Sequence, residues 1–380
     1  MRSILLLALL SSAASCSLAE QEADGGVLET LWAVDDPVAA FSTIRRGAVD
    51  GARFYAVREQ VGDGRALVAY DRRDGTEVWR HTVLGPCTVV PVGGRVYCPG
   101  DYLYALDAET GRELWRHGSG APDDSFQLVA ATADARRVYA GHNGAPEAVG
   151  RVVAVDAATG TLVWERAFEG PGWEGILVQS VALSPEGDLL VAFSAEYDPP
   201  SVFSAAVLAA VDPATGEERW RVVDGGPDTD RDTGELEIWG DLVLYSDSGG
   251  QEAVAVSRTT RSVAWRAPFT PGSFSTRTAP AVVGGVAYYV DTLGGVFAVD
   301  ARTGARVWSV KRPGGFFNHL ACGDVLFADD QSGAVLDRQS GRFLGALLNG
   351  PDAIPGQVAA ADGVLYLSAS SGVYAFDCAP

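Results

Sequence analysis

The segment AVVGGVAYYVDTLGGVFAVDARTGARVWSV, residues 281–310, contains the pattern that decides the fold. Two apolar runs meet at Gly284-Gly285, and a second pair meets near Gly294-Gly295. An Asp-x-x-Thr-Gly turn at 300–304 then leads into a fourth run, which carries Trp308. Short apolar runs that meet at glycine turns are typical of β-hairpins, so the segment predicts a four-stranded antiparallel meander.

The end of this segment recurs along the whole chain. Copies of apolar-x-Asp-x-x-Thr-Gly-x-x-x-Trp occupy 69–79, 105–115, 154–164, 210–220 and 298–308, and degenerate copies occupy 255–265, 336–345 and 373–377. A recurrence of this length indicates a propeller or a solenoid. Because one blade exposes two apolar faces, neighbouring blades must stack and the ring must close. The tryptophans expected to dock blade on blade are Trp32, Trp79, Trp115, Trp164, Trp220, Trp265 and Trp308.

The two ends of the repeat region predict how the ring closes. The last repeat, 357–377, provides three strands, and residues 28–35 match an isolated fourth strand that carries Trp32. We therefore expect an all-β, eight-bladed β-propeller of four-stranded antiparallel blades, with the N-terminal strand completing the last blade.

The repeat resembles that of the pyrroloquinoline quinone (PQQ)-type propeller family, and the resemblance covers nearly all of residues 28–378. Within it, the chain most resembles the BamB family of outer-membrane barrel-assembly lipoproteins. The resemblance also extends to quinoprotein alcohol dehydrogenases, which have a vicinal Cys-Cys pair and Glu, Asn and Asp around a calcium ion. No two cysteines are adjacent here, and only Asn143, Asn318 and Asn349 are available, so we do not expect an enzyme.

The N-terminus has the layout of a secretory signal peptide. Arg2 precedes an apolar run at 4–10, which is too short to span a bilayer, and small residues follow. Ala13-Ala14-Ser15-Cys16 resembles a lipobox with Ala at its first position, so we expect Cys16 to be lipidated, with plain secretion as the alternative. The predicted division is a signal peptide at 1–15, a linker at 16–27 and one propeller at 28–378.

The remaining cysteines are even in number, which suits an oxidising compartment. Cys87 and Cys98 flank a hairpin with a Gly93-Gly94 turn that sets them nearly opposite, so we expect them to pair. For Cys322 and Cys378 we expect a second disulfide, and two buried thiols are the alternative.

Charge and motifs narrow the functional classes. With 29 Lys and Arg against 49 Asp and Glu, the net charge of −20 disfavours nucleic acids and anionic lipid surfaces. We find no catalytic residues, cofactor-binding motif or metal-ligand spacing among the histidines. The alternating carboxylates Asp228, Asp230 and Asp232 are a candidate calcium site, for which a solvated acidic loop is the alternative interpretation.

These features favour a non-enzymatic scaffold in outer-membrane protein assembly. It is expected to be a monomer, exported to the cell envelope and anchored by lipid at the outer membrane facing the periplasm. Loops at 118–150, 194–206 and 224–237, including the Pro-containing stretch 197–203, are the candidate surface for a protein partner, with tolerated insertions as the alternative. The alternative function is an envelope propeller that binds a small ligand or cation, as a sensor or a PQQ-dependent enzyme. A third is a secreted propeller unrelated to barrel assembly.

Overall fold

The computed structural model describes residues 27–35, 47–60, 64–85, 87–118, 131–144, 149–197, 204–274, 276–316, 318–330, 332–348 and 355–379. Over these ranges the secondary structure consists of 32 β-strands joined by turns and bends, with no helix. A search of the same residues for a helix long and apolar enough to cross a membrane found none.

The strands form eight antiparallel meanders of four, numbered as blades 1 to 8. Blade 1 comprises β2 (Ala48–Val49), β3 (Arg53–Gln60), β4 (Gly64–Asp71) and β5 (Glu77–Val83), and blade 2 comprises β6 (Val90–Val92), β7 (Arg95–Pro99), β8 (Leu103–Asp107) and β9 (Glu113–His117). Blade 3 comprises β10 (Ala131–Ala133), β11 (Arg137–Gly144), β12 (Val149–Asp156) and β13 (Leu162–Ala167), and blade 4 comprises β14 (Gly175–Leu183), β15 (Leu189–Glu196), β16 (Ser204–Val211) and β17 (Glu218–Gly225).

Blade 5 comprises β18 (Glu237–Trp239), β19 (Leu242–Asp247), β20 (Glu252–Ser257) and β21 (Ser262–Pro268), and blade 6 comprises β22 (Ala281–Val283), β23 (Val286–Val290), β24 (Gly295–Asp300) and β25 (Arg306–Lys311). Blade 7 comprises β26 (His319–Cys322), β27 (Val325–Ala328), β28 (Ala334–Asp337) and β29 (Phe343–Ala346), and blade 8 comprises β30 (Pro355–Ala361), β31 (Val364–Ala369), β32 (Gly372–Asp377) and β1 (Thr30–Asp35).

The ring closes through blade 8, as the sequence predicts. Strand β1 pairs antiparallel with β32, with Trp32 opposite Ala375 and Val34 opposite Val373. The eight-bladed propeller closed by its N-terminal strand is therefore confirmed.

The hydrophobic core is divided among the junctions between blades. Among the described residues there are eight clusters of buried apolar side chains, and each draws its members from two neighbouring blades. First strands of neighbouring blades also contact one another at every junction except that between blades 4 and 5, for which no contact of β14 with β18 stands out, and this places the first strands at the centre of the ring. In a meander, the first and third hairpin turns lie at one end of the blade. We call that end the turn face, and the opposite end, with the second hairpins and the connections between blades, the long-loop face.

The repeated Asp-x-x-Thr-Gly sequence forms a hydrogen-bonded turn on the turn face. In blade 6, Asp300 Oδ1 accepts bonds from the backbone N–H and the hydroxyl of Thr303, both at 2.8 Å. Gly304 closes the turn with φ at 72°, in the left-handed region that favours glycine. The donated hydrogen bonds lower the pKa of Asp300 below its ordinary value.

At six of the eight junctions, a tryptophan joins one blade to the next through that turn. A Cβ atom on the turn glycine would lie 2.5–2.8 Å from the indole of the preceding blade at six junctions. In the same six pairs the indole Nε1 donates to a turn carbonyl at 2.9–3.1 Å. We call this arrangement the tryptophan lock, and its pairs are Trp32–Gly75, Trp79–Gly111, Trp115–Gly160, Trp164–Gly216, Trp265–Gly304 and Trp308–Gly341.

Blade 5 builds the same turn from different residues. Ser257 stands where the other repeats have aspartate, and Asp241, from the first hairpin of the blade, supplies the carboxylate instead. Asp241 Oδ1 accepts from the Thr259 backbone N–H at 2.9 Å, and its Oδ2 accepts from the Ser257 hydroxyl at 2.6 Å. Arg261 replaces the turn glycine and keeps the left-handed conformation, with φ at 53°. The degenerate repeat therefore retains the turn.

Both expected cysteine pairs lie at bonding distance. The sulfurs of Cys87 and Cys98 are 2.03 Å apart, next to the hairpin between β6 and β7. The sulfurs of Cys322 and Cys378 are 1.97 Å apart, and this bond links blade 7 to blade 8. Residues 1–26, which include the predicted signal peptide and Cys16, lie outside the described residues.

Candidate functional site between blades 4 and 5

Two of the three predicted contact loops meet on the long-loop face. Loop 226–236, which connects β17 to β18, lies against the start of β16. Ser204 N donates to Thr229 O at 2.8 Å, and Arg231 N donates to Ser204 O at 3.1 Å. The Ser204 hydroxyl also donates to Arg231 O at 2.7 Å. Residues 119–130, 145–148 and 198–203 of the predicted loops lie outside the described residues.

Asp232 holds loop 226–236 in place. Its side chain is buried, and its carboxylate accepts a hydrogen bond from Ser194 of blade 4 and pairs with Arg277. The Ser248 hydroxyl, from blade 5, donates to Asp232 Oδ2 at 2.9 Å, and the Thr233 backbone N–H donates to Oδ1 at 2.8 Å. One carboxylate therefore joins blade 4, blade 5 and the connection to blade 6.

A second charged cluster lies beneath the same loop. Arg231 Nη1 lies 2.9 Å from Asp247 Oδ2 and also pairs with Glu252. Arg266 Nη1 lies 2.7 Å from Glu252 Oε1, and its Nη2 lies 2.5 Å from Asp224 Oδ1. Burial raises the pKa of Asp247, whereas the pKa of Arg231 is raised by its hydrogen bonds to the two carboxylates although burial opposes the shift. The cations and anions alternate, so each charge has an opposite neighbour.

Two consecutive glycines give loop 226–236 room to approach blade 5. A Cβ atom on Gly249 would lie 2.5 Å from Asp230 Oδ1 and 2.6 Å from the backbone oxygen of Asp230, and one on Gly250 would overlap the guanidinium group of Arg231. A larger residue at Gly249 would displace the backbone of the loop, so the turn between β19 and β20 is part of the site.

The loops border an open pocket of about 250 Å³. Its lining includes Gln179 and Glu196 of blade 4, Asp230, Phe274 and Arg277. Desolvation and the nearby negative charge of Asp232 raise the pKa of Asp230 above its ordinary value. Arg277 has φ at 59°, an uncommon conformation for a side chain other than glycine. The pocket combines carboxylates, a guanidinium group and an aromatic ring.

The aromatic ring of Phe274 is exposed on a fixed backbone. Phe274 N donates to Thr292 Oγ1 at 3.1 Å, and Thr292 N donates to Phe274 O at 3.1 Å. The phenylalanine is nevertheless 60% exposed. Phe274 is therefore a large apolar side chain that a hydrogen-bonded backbone presents to solvent beside the pocket.

The candidate calcium ligands do not form one set. Asp228 is exposed, Asp230 faces the pocket, and Asp232 is already bound to Arg277 and two serine hydroxyls. In the part of the chain that the structure describes, no three His, Cys, Asp or Glu side chains are arranged to hold a metal ion. What the loop contributes is an attachment between blades.

The sequence identifies only part of this site. It points to loop 224–237 through the spacing of its aspartates, but it gives no sign that Arg277, more than forty residues later, would pair with one of them. Phe274 is likewise an ordinary apolar residue in the sequence. Gly249-Gly250 is the one local signal, and by itself it indicates only a turn.

The fold and its repeat define the chain as an eight-bladed β-propeller of the PQQ-like class. A family model described as outer membrane protein assembly factor BamB matches residues 20–192 and 204–379, and the chain belongs to that family. No curated protein sequence matched the chain.

Solved structures with the same fold include members of both functional classes. BamB from Moraxella catarrhalis is 16% identical, with a TM-score of 0.66 over 92% of this chain and 97% of that one. A europium-containing methanol dehydrogenase is 16% identical, with a TM-score of 0.69 over 90% of this chain and 86% of that one. The quinohemoprotein alcohol dehydrogenase from Comamonas testosteroni is also 16% identical, with a TM-score of 0.69 over 92% of this chain and 76% of that one. At such identities the likeness shows the fold alone.

Proposed function

We propose that this protein is a non-enzymatic scaffold of the cell envelope that takes part in outer-membrane protein assembly. Its partner is a protein component of that assembly machinery, which binds the long-loop face at the pocket between blades 4 and 5. The description of the family to which the chain belongs supports this role. The observation that carries it is the exposed ring of Phe274 beside a pocket in which the Asp232–Arg277 pair is held by neighbouring blades.

The pocket has the properties of a contact site for a folded partner. Loop 226–236 is held by Asp232 and Arg231, so binding would order few additional residues and lose little conformational entropy. An exposed aromatic anchor surrounded by polar groups is the usual composition of an interface hot spot. The site therefore presents a preformed surface.

Two of the three asparagines and the cysteines support the non-enzymatic part of the proposal, whereas Asn349 lies outside the described residues. The enzymes that share the repeat use an asparagine as a calcium ligand, but Asn143 is bound here to a backbone. Its Nδ2 donates to Val178 O at 2.8 Å, and its Oδ1 accepts from Val178 N at 2.8 Å, which joins β11 to β14. Asn318 is buried and accepts from the His319 backbone N–H at 2.9 Å. The cysteines pair across 11 and 56 residues and not as neighbours.

A capture experiment from membranes tests the proposal. The full chain, expressed with its leader in its own host, is cross-linked, solubilised and isolated, and its partners are identified by mass spectrometry. We expect the wild type to enrich a component of the outer-membrane assembly machinery, and Phe274→Ala to reduce that enrichment about tenfold or more. Leu84→Ala is the matched control, because Leu84 is also an exposed apolar side chain, at 51%, and lies outside the pocket.

Two results would contradict the scaffold role. One is capture of the same component at equal yield by the wild type and by Phe274→Ala. The other is saturable binding of PQQ or calcium near one equivalent in calorimetry, which would favour the alternative of a ligand-binding or enzymatic propeller.

We also propose that the mature protein is lipidated at Cys16 and faces an oxidising compartment. The two disulfides support the second part, because such bonds persist outside the cytoplasm. Intact-mass measurement of the membrane fraction tests the first part, since a diacylglyceryl group on Cys16 gives a defined mass increase that Cys16→Ala removes. A mature wild-type chain of unmodified mass in the soluble fraction would instead establish secretion.

A further inference from the structure

The junction between blades 7 and 8 lacks the tryptophan lock. Gly345 stands in β29 at the position that carries tryptophan in the other outer strands, eight residues after the turn aspartate. A Cβ atom on Gly345 would lie 2.9 Å from the Cβ of Val27, so the segment before β1 occupies space next to this backbone. In blade 8, Cys378 directly follows Asp377, where the other repeats continue towards their turn residues.

A disulfide occupies this junction instead. Cys322 is the last residue of β26 in blade 7, and Cys378 follows β32 in blade 8. Both cysteines are buried, in a cluster that includes Leu28 and Phe376. A Cβ atom on Gly323 would lie 3.2 Å from Cys378 O, so the end of blade 8 fits closely against the first turn of blade 7.

We propose that the Cys322–Cys378 bond is a redox clasp that closes the ring at the junction between blades 7 and 8, where the outer strand carries no tryptophan. Blade 8 combines a strand from the N-terminus with strands from near the C-terminus, so the ring stays closed only while β1 pairs with β32 and blade 8 stays attached to blade 7. The bond spans 56 residues of sequence and therefore removes many open conformations of β30–β32. With the bond reduced, this junction is the first to open.

The redox step is a thiol–disulfide exchange. A dithiol reductant transfers two electrons to the sulfur pair, the S–S bond breaks, and two protons complete the thiols of Cys322 and Cys378. The reductant becomes a disulfide. Because both cysteines are buried, exchange requires the junction to open first, so the rate of reduction also measures that opening.

Hydrogen exchange measured by mass spectrometry on the full folded chain tests the clasp. Serine replaces both Cys322 and Cys378 in one variant, and both Cys87 and Cys98 in a matched control whose disulfide is also buried. We expect the first variant to lose protection about 100-fold in β1 and β30–β32, while β10–β13 keep theirs. The control is expected to keep the protection of blade 8.

Reduction of the wild type keeps the test independent of how well the serine variants fold. The folded protein treated with dithiothreitol should lose protection in the same strands, β1 and β30–β32. Unchanged protection of blade 8 after complete reduction of Cys322–Cys378 would overturn the proposal. So would an equal loss in all blades, because the bond would then stabilise the whole propeller and not this junction.

Discussion

The indole nitrogen of Trp164 donates a hydrogen bond of 3.0 Å to the backbone oxygen of Pro213, which joins the outer strand of blade 3 to the turn of blade 4. The same ring lies against Gly216, where a Cβ atom would come within 2.8 Å of it. The turn glycine therefore has two roles. It adopts the left-handed conformation, and it leaves room for the tryptophan of the preceding blade.

Substitutions at this lock separate the two roles. We expect Trp164→Ala to lower the free energy of unfolding by about 3–5 kcal/mol, because it removes a large packed side chain. Gly216→Ala should lower it by about 2–4 kcal/mol, since it combines backbone strain with overpacking. Urea unfolding followed by tryptophan fluorescence and circular dichroism gives both values.

Gly93→Ala is the control for backbone strain. Gly93 also has positive φ, at 60°, but a Cβ atom there would have no neighbour within 4 Å. We expect a loss of about 1 kcal/mol, from strain alone. Equal losses at Gly93 and Gly216 would show that contact with the indole contributes nothing.

Asp241 takes the role of the missing turn aspartate in blade 5. We therefore expect that stability lost by removing Asp241 can be recovered by placing an aspartate at position 257. Asp241→Ala should lower the free energy of unfolding by about 1–2 kcal/mol, because Thr259 and Ser257 lose their common acceptor. Adding Ser257→Asp to that variant restores the repeat sequence and should recover most of the loss.

When Asp241 is present, we expect Ser257→Asp to have the opposite effect and to lower the free energy of unfolding. Ser257→Asp alone then places two carboxylates together and should destabilise the blade. Thermal unfolding of the two single variants and the double variant measures this coupling. Additive effects would mean that Asp241 does not serve as the turn aspartate.

The contrast between local and distant relationships explains how much the sequence predicts. The turn of blade 6 is formed by consecutive residues, Asp300 to Gly304. Because this short pattern recurs along the chain, it predicts the blades, their number and the closing strand. Asp241 and Ser257 are 16 residues apart, and their pairing depends on the register of β19 with β20. The Asp232–Arg277 pair depends on the relative positions of three blades, so no local sequence pattern predicts it.

Asp232 is expected to be structurally important, whereas Asp228 in the same loop is not. Asp232→Ala leaves Ser248 and Arg277 without this acceptor, and we expect a loss of about 1–3 kcal/mol in the free energy of unfolding. Asp228 is exposed, so Asp228→Ala should change it by no more than about 0.5 kcal/mol. Hydrogen exchange should show the first effect concentrated in loop 226–236, and equal effects of the two substitutions would contradict the geometry.

Calcium should not stabilise the protein through this loop. Because Asp232 is already bound to Arg277 and to serine hydroxyls, only Asp228 and Asp230 remain from the candidate set, which is too few for calcium. We expect the unfolding temperature to be the same in millimolar calcium and in chelator. A calcium-dependent increase that Asp230→Ala abolishes would establish a site.

The turn aspartates predict a loss of stability in acid. Hydrogen bonds from Thr303 lower the pKa of Asp300 in the folded state, and hydroxyl and backbone donors do the same for the equivalent aspartates Asp107, Asp156 and Asp337. A lowered folded pKa means that the unfolded chain binds more protons in acid, so this stabilisation is complete above the ordinary aspartate pKa. The stabilisation is lost as the pH falls through the pKa of the folded state.

Asp300→Asn cannot titrate at this position, so its urea midpoint should lie below that of the wild type at pH 7, and the difference should shrink below about pH 4. Asp228→Asn, in an exposed loop outside the repeat, is the control. A difference between Asp300→Asn and the wild type that stays constant from pH 7 to pH 2.5 would mean that the charge of Asp300 does not stabilise the turn.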